Sequence, residues 1–208
     1  MNVKLRNATI AVVGLASVAG LAVAAAPTDR SLKRPEDFRQ IADPKARSAA
    51  MFTEAGRVLQ HPRCMNCHPQ GRSPTQGDDL HPHVPFIAAG DGGHGSRALS
   101  CSTCHQAQNV STQGASIATI PGHPHWTLAP ASMAWQGRSL AEICAQIKDP
   151  GRNGGRTLKQ IHEHMADDSL VGWAWRPGAG RTPAPGTQAA FGDLIAAWIA
   201  TGAACPAS

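Results

Sequence analysis

The sequence predicts a mainly α, loop-rich fold in which capped helices and long loops wrap around bulky bound groups. Three observations lead there. Clear helix starts stand at Asp43, Ser139 and Thr157, and a strongly apolar helix follows Thr187. Two long stretches, residues 69–97 and 106–137, are rich in Gly, Pro and His and show neither helical nor strand periodicity. Aromatic residues make up only 4% of the chain, with no Tyr, against 21 Gly and 16 Pro. So little bulky apolar material makes a large protein core hard to build, and a bound group would have to supply the rest.

Asp43-Pro44 is an N-cap followed by Pro at the first helical position. The helix continues through Gln60 with Ala49, Phe52, Gly56 and Leu59 along one side, and Pro62 stops it. Ser139-Leu140-Ala141-Glu142 is a capping box opening a helix to Lys148. Thr157-Leu158-Lys159-Gln160 is another, opening a helix to about Ala166. Thr187 to Thr201 carries Phe191, Leu194, Ile195, Trp198 and Ile199 in one stripe and ends at Gly202. The Trp173-Ala174-Trp175 stretch reads as extended or looped. Gly151 to Gly155 is a turn rather than a phosphate loop, because no strand precedes it and no Gly-Lys-Ser/Thr follows.

Chemistry concentrates between residues 64 and 105. Cys64-Met65-Asn66-Cys67-His68 and Cys101-Ser102-Thr103-Cys104-His105 are two copies of Cys-x-x-Cys-His, the attachment signature for c-type haem. Two thiols on one tight turn can add to the two vinyl groups of a porphyrin edge. The following His is carried round the turn to bind iron as proximal ligand. Two Cys-x-x-Cys pairs also suit a structural zinc, but the gap between them exceeds ribbon spacing and the two His residues are left over. A dithiol redox motif lacks its strand–helix–strand setting. The expected cofactors are therefore two haem c, held by Cys64, Cys67 and His68 and by Cys101, Cys104 and His105. No wider repeat surrounds the pentapeptides, so the sites are not two copies of one domain.

The start of the chain agrees with this. Lys4 and Arg6 precede an apolar run from Ala8 to Ala26 that ends in Ala-x-Ala. That pattern predicts a secretory signal peptide, residues 1–24, and delivery to the periplasm, where haem c is attached; an uncleaved anchor is the alternative. Residues 25–42 read as a polar arm and 43–208 as a single domain. The net charge of +5 includes Lys4 and Arg6. No basic cluster with interleaved aromatics appears, so nucleic acid is not an expected partner. Once the signal is removed nothing else is long and apolar enough to span a membrane. Cys144 and Cys205 remain after the haem thiols are assigned, and in an oxidising compartment they predict a disulfide.

Function turns on the second axial ligand of each iron. Two strong ligands make an electron carrier; an open face binds small molecules. His81 and His83 lie in a Pro-stiffened loop between the motifs. His162 and His164 share one helix, where the register with Leu158, Ile161 and Met165 selects His162. Met133, after Leu128-Ala129-Pro130, is the best thioether candidate.

With the two pentapeptides, the segments Met133-Ala134-Trp135-Gln136-Gly137, Glu163-His164-Met165, Leu170-Val171-Gly172-Trp173-Ala174-Trp175 and Gly202-Ala203-Ala204-Cys205-Pro206 carry a resemblance. The chain resembles small secreted dihaem c-type cytochromes, among them bacterial proteins labelled "isoquinoline 1-oxidoreductase subunit". The resemblance implies cytochrome c-like helices around two haems and points to His164 against the helix register. His83 and His164 thus stand as the distal candidates, with His81, His162 and Met133 as alternatives and the pairing open. No molybdopterin or flavin site is visible. The expected function is electron relay between a dehydrogenase or another cytochrome and the respiratory chain, without a catalytic residue of its own. The alternatives are a peroxidase-like dihaem enzyme with one open haem face and the cytochrome subunit of an oxidoreductase complex.

Overall fold

The computed structural model describes residues 30–114 and 117–207, so the expected signal peptide lies outside the described residues. The chain is helix-rich, with six α-helices among the described residues: α1 (Pro44–Leu59), α2 (Pro62–Met65), α3 (Leu140–Lys148), α4 (Leu158–Asp167), α5 (Ser169–Gly172) and α6 (Gln188–Ala200). The long starts behave as their sequences dictate. The Asp43 carboxylate accepts from Lys45 N and Ala46 N. Ser139 and Thr157 close reciprocal capping boxes with Glu142 and Gln160. Thr187 caps α6 by accepting from Ala190 N.

Helix α6 is the hub. It packs against α1 on one side and α4 on the other. Phe52 of α1 and Trp198 of α6 meet with ring centroids 4.8 Å apart, and both are fully buried. Burying side chains of this size contributes about 1.5–3 kcal/mol each. The polar atoms that this packing buries are satisfied. Ser48 Oγ donates to the Trp198 carbonyl at 3.0 Å, and Trp198 Nε1 donates to the Ala204 carbonyl at 2.8 Å. Helix α4 comes close because α6 presents Gly192 to it: a Cβ there would stand 2.7 Å from Ala166 Cβ. Gly202, at φ +100°, ends α6 and turns the chain back to α3. There Cys144 and Cys205 form a disulfide.

Three local expectations change. Pro62 does not merely end α1; at the first position of α2, it starts a new turn that runs straight into the first pentapeptide. The Trp173-Ala174-Trp175 segment is helical, a 3-10 turn continuing α5, because Asp168 accepts from Leu170 N and caps a helix that the sequence reading passed over. From residue 30 the supposed arm is packed rather than free: Leu32 and Phe38 are buried in the core, and the 3-10 turn Pro35–Phe38 lies on α1 and α6.

The middle of the chain is loop, as expected, pinned by two minimal antiparallel pairs. β1 (Thr75–Gln76) pairs with β2 (His81–Pro82), and β3 (Val110–Ser111) with β4 (Thr119–Ile120). Each sets up the approach to one imidazole, since His83 follows β2 and Pro121 follows β4. Among the described residues, no helix is long and apolar enough to cross a membrane.

Candidate functional site

The two pentapeptides adopt the same turn. In each, the His backbone N–H donates to the carbonyl of the first Cys: His68 to Cys64 at 3.1 Å and His105 to Cys101 at 2.9 Å. That turn places both thiols and the imidazole on one side, and each turn opens onto a large cavity. Cys64, Cys67 and His68 line one of about 1180 Å³; Cys101, Cys104 and His105 line another of about 900 Å³, counting the open mouth of each.

Each cavity also receives a second imidazole. His164, on α4, faces the cavity of the first turn together with Met165 and Ile161. His83 lines the cavity of the second. The His83 and His105 ring centroids are 6.0 Å apart. Two imidazoles bonded to one metal from opposite sides, with metal–nitrogen bonds of about 2.0–2.1 Å, have ring centres about 6 Å apart.

The four rings share a further property. His68 Nδ1 donates to the Met133 carbonyl at 2.7 Å and His105 Nδ1 to the Pro121 carbonyl at 2.8 Å. His83 Nδ1 donates to the Pro85 carbonyl at 2.8 Å, and His164 Nδ1 faces Asp168 Oδ2 at 3.0 Å. An imidazole whose Nδ1–H is held this way presents Nε2 as the lone-pair donor, the arrangement found behind metal-bound His. The alternatives do not present a free Nε2 to either cavity. His81 is engaged at both nitrogens, by Asp79 and by Gln76. His162 points to α6, its Nε2 near Gly192, and lines neither cavity. Met133 also lines the first cavity, but its carbonyl accepts from His68 Nδ1, so it stands beside His68 and not as that ring's counterpart.

Sequence reasoning missed the aromatic backing of the two rings nearest the thiols. Trp135 stacks on His68 at 3.6 Å and 4°, and Trp126 stacks on His105 at 4.6 Å and 11°. Met133-Ala134-Trp135 was legible as a segment, but nothing in a lone Trp announces that it lies flat on an imidazole. Trp126 also meets Trp173 edge-on at 5.0 Å. Both, with Arg63, Cys67, Thr127 and Leu128, line both cavities, so one wall separates the two sites.

Three of the four thiols are held in the protonated form by burial. Burial pushes the Cys64 thiol up to about 12 and Cys67 up to about 11, and raises Cys101 as well. Reactive Cys-x-x-Cys pairs have the opposite shift. Burial also lowers His68 to about 4 and lowers His105, which keeps both imidazoles neutral and able to ligate. Among the described residues, no group of three or more His, Cys, Asp or Glu side chains converges to hold a metal ion. The thiols and imidazoles are instead spread around the walls of the two cavities. No protein-family model matches the chain, and neither a curated protein nor a solved structure is found similar to it.

Proposed function

We propose that the chain is a dihaem electron-transfer protein of the periplasm, with two c-type haems, each held between two imidazoles. The observation that carries this is the pairing of imidazoles within thiol-walled cavities, His68 with His164 and His105 with His83, every Nδ1 held by an acceptor. Cys64 and Cys67, and Cys101 and Cys104, are the covalent anchors in this reading.

When bound, haem supplies a one-electron iron couple, whose potential depends on axial ligation, burial and hydrogen bonding. The chain's residues do the rest. The carbonyls of Met133, Pro121 and Pro85 and the Asp168 carboxylate orient the four rings and fix their tautomers. Trp135 and Trp126 exclude water from one face of His68 and His105. A shared wall brings the sites next to each other, which suits relay between a dehydrogenase or another cytochrome and the respiratory chain.

The test is the EPR spectrum of oxidised protein matured with haem, with the haem count taken from its mass. Two attached haems and two low-spin ferric signals are expected. A high-spin signal from one haem would replace the carrier with a peroxidase-like enzyme. A chain that matures without haem would overturn the reading altogether.

A further inference from the structure

Arg63 sits one residue before Cys64 and is almost wholly buried, its side chain 1% exposed. Its Nη2 donates to Asp78 Oδ1 at 2.5 Å and to the Gly77 carbonyl at 2.8 Å. Its Nε is buried with no partner. A buried guanidinium donor left unsatisfied is costly, more so on a charged group. Arg181 lies nearby: burial and then the Arg63 cation weaken its hold on its proton, and its guanidinium is occupied by Thr119 and the Pro177 carbonyl rather than by a carboxylate.

Both arginines line the cavity of the second turn, together with Cys101, Cys104, His83 and His105. The single carboxylate near them is Asp78, whose side chain is 44% exposed and already accepts from Thr182 N and Thr182 Oγ1. No Asp or Glu is among the described residues lining either cavity. Two guanidiniums therefore face a cavity whose one nearby anion, the half-solvated Asp78, pairs with Arg63 alone. Whatever fills it must bring negative charge of its own.

We propose that Arg63 and Arg181 bind the carboxylates of the group held at the second turn. This rests on the dihaem reading: a haem attached through the thiols of Cys101 and Cys104 carries two propionates on its opposite edge. Guanidinium forks match carboxylates bidentately, and a water-poor cavity strengthens the pair. The consequence is geometrical. Because Arg63 belongs to the turn that carries the first haem, the second haem is tied through its propionate edge to the anchor of the first. The orientation of one group is then fixed by the attachment segment of the other.

The experiment uses haem-matured protein and the variants R63Q, R63K and R181Q. Mass gives the haem count, resonance Raman the propionate bending modes, and potentiometry the two potentials. Two haems with a shifted propionate mode in both R63Q and R181Q are expected, along with a lower potential for one haem, since removing a cation favours the oxidised form. R63K should keep that potential closer to the parent while still moving the mode, because a point charge replaces the fork. Unchanged propionate modes in R63Q and R181Q, with or without a potential shift, would overturn the proposal. If R63Q fails to accumulate, the less buried Arg181 decides through R181Q alone. A parent chain without haem would refute the dihaem reading instead, and mass reveals that before any variant is made.

Discussion

The turn at Cys64 and the turn at Cys101 have the same residue pattern and the same backbone hydrogen bond, yet they sit in opposite surroundings. The first is fed by α1 and α2, backed by buried Trp135 and Met133, and walled by Phe191 of α6 and Ile147 of α3. The second hangs on loops. Cys104 is exposed, and the main core cluster has no buried member between Met65 and Met133. Val84 and Phe86, beside His83, are 65% and 75% exposed. One site is thus part of a core that helix packing already builds, whereas the other is a loop cage whose apolar lining lies outside that core. In the dihaem reading, order in the second would come largely from the group it holds.

The largest expected effect follows from that difference. C101A/C104A should yield a chain with one haem whose far-UV helical signal and cooperative melt survive, while trypsin gains cuts between residues 69 and 127. C64A/C67A should lose cooperative melting, because it leaves a large hole between α1, α3, α4 and α6. Equal loss of melting in the two variants would remove the contrast.

Acid should separate the sites by a smaller margin. Burial lowers His68 to about 4 from an ordinary 6.5. The folded protein holds this imidazole neutral, whereas the unfolded chain takes up a proton below about 6.5. In the haem-free chain, stability from this group is therefore full above that pH and falls away as pH drops towards 4, by about 3 kcal/mol in all at 1.36 kcal/mol per unit. His105 is lowered as well, but it lies in the looser cage. Followed by Soret absorbance from pH 7 to 3, the second haem should lose its ligation first. Loss from the first site ahead of the second would invert the comparison.

The same contrast explains what the sequence could and could not reveal. The helices of the cored half were legible because capping boxes and apolar stripes are local: Ser139 with Glu142, Thr157 with Gln160, and the run from Phe191 to Trp198. The pentapeptides were legible because spacing alone encodes their turn. The second imidazoles, His83 and His164, stood as the candidates, but local pattern did not select them. Register selected His162 over His164 on the assumption that α4 has one buried face. It has two, since the His162 side meets Gly192 of α6 and the His164 side meets the cavity. A cavity leaves no periodicity in the residues that line it. In the loop cage, His81 and His83 were equivalent until Asp79 and Gln76 claimed both nitrogens of His81. Those are contacts of turn geometry that no propensity predicts.

The smallest effect tests the cage most directly. Phe52 and Phe86 are the same residue in the two regions, one fully buried against Trp198 and the other 75% exposed beside His83. F52A removes a core ring and should cost about 3–5 kcal/mol in urea unfolding, from lost transfer free energy plus the cavity left behind. F86S removes a ring that contacts mostly water, and should change stability by no more than about 0.5 kcal/mol. The two substitutions share a residue type, so their difference reports the surroundings and not the chemistry of Phe. A cost above 1 kcal/mol for F86S would mean that the loop around His83 has a packed interior. The second cage would then stand without its haem, and C101A/C104A should leave it closed to trypsin.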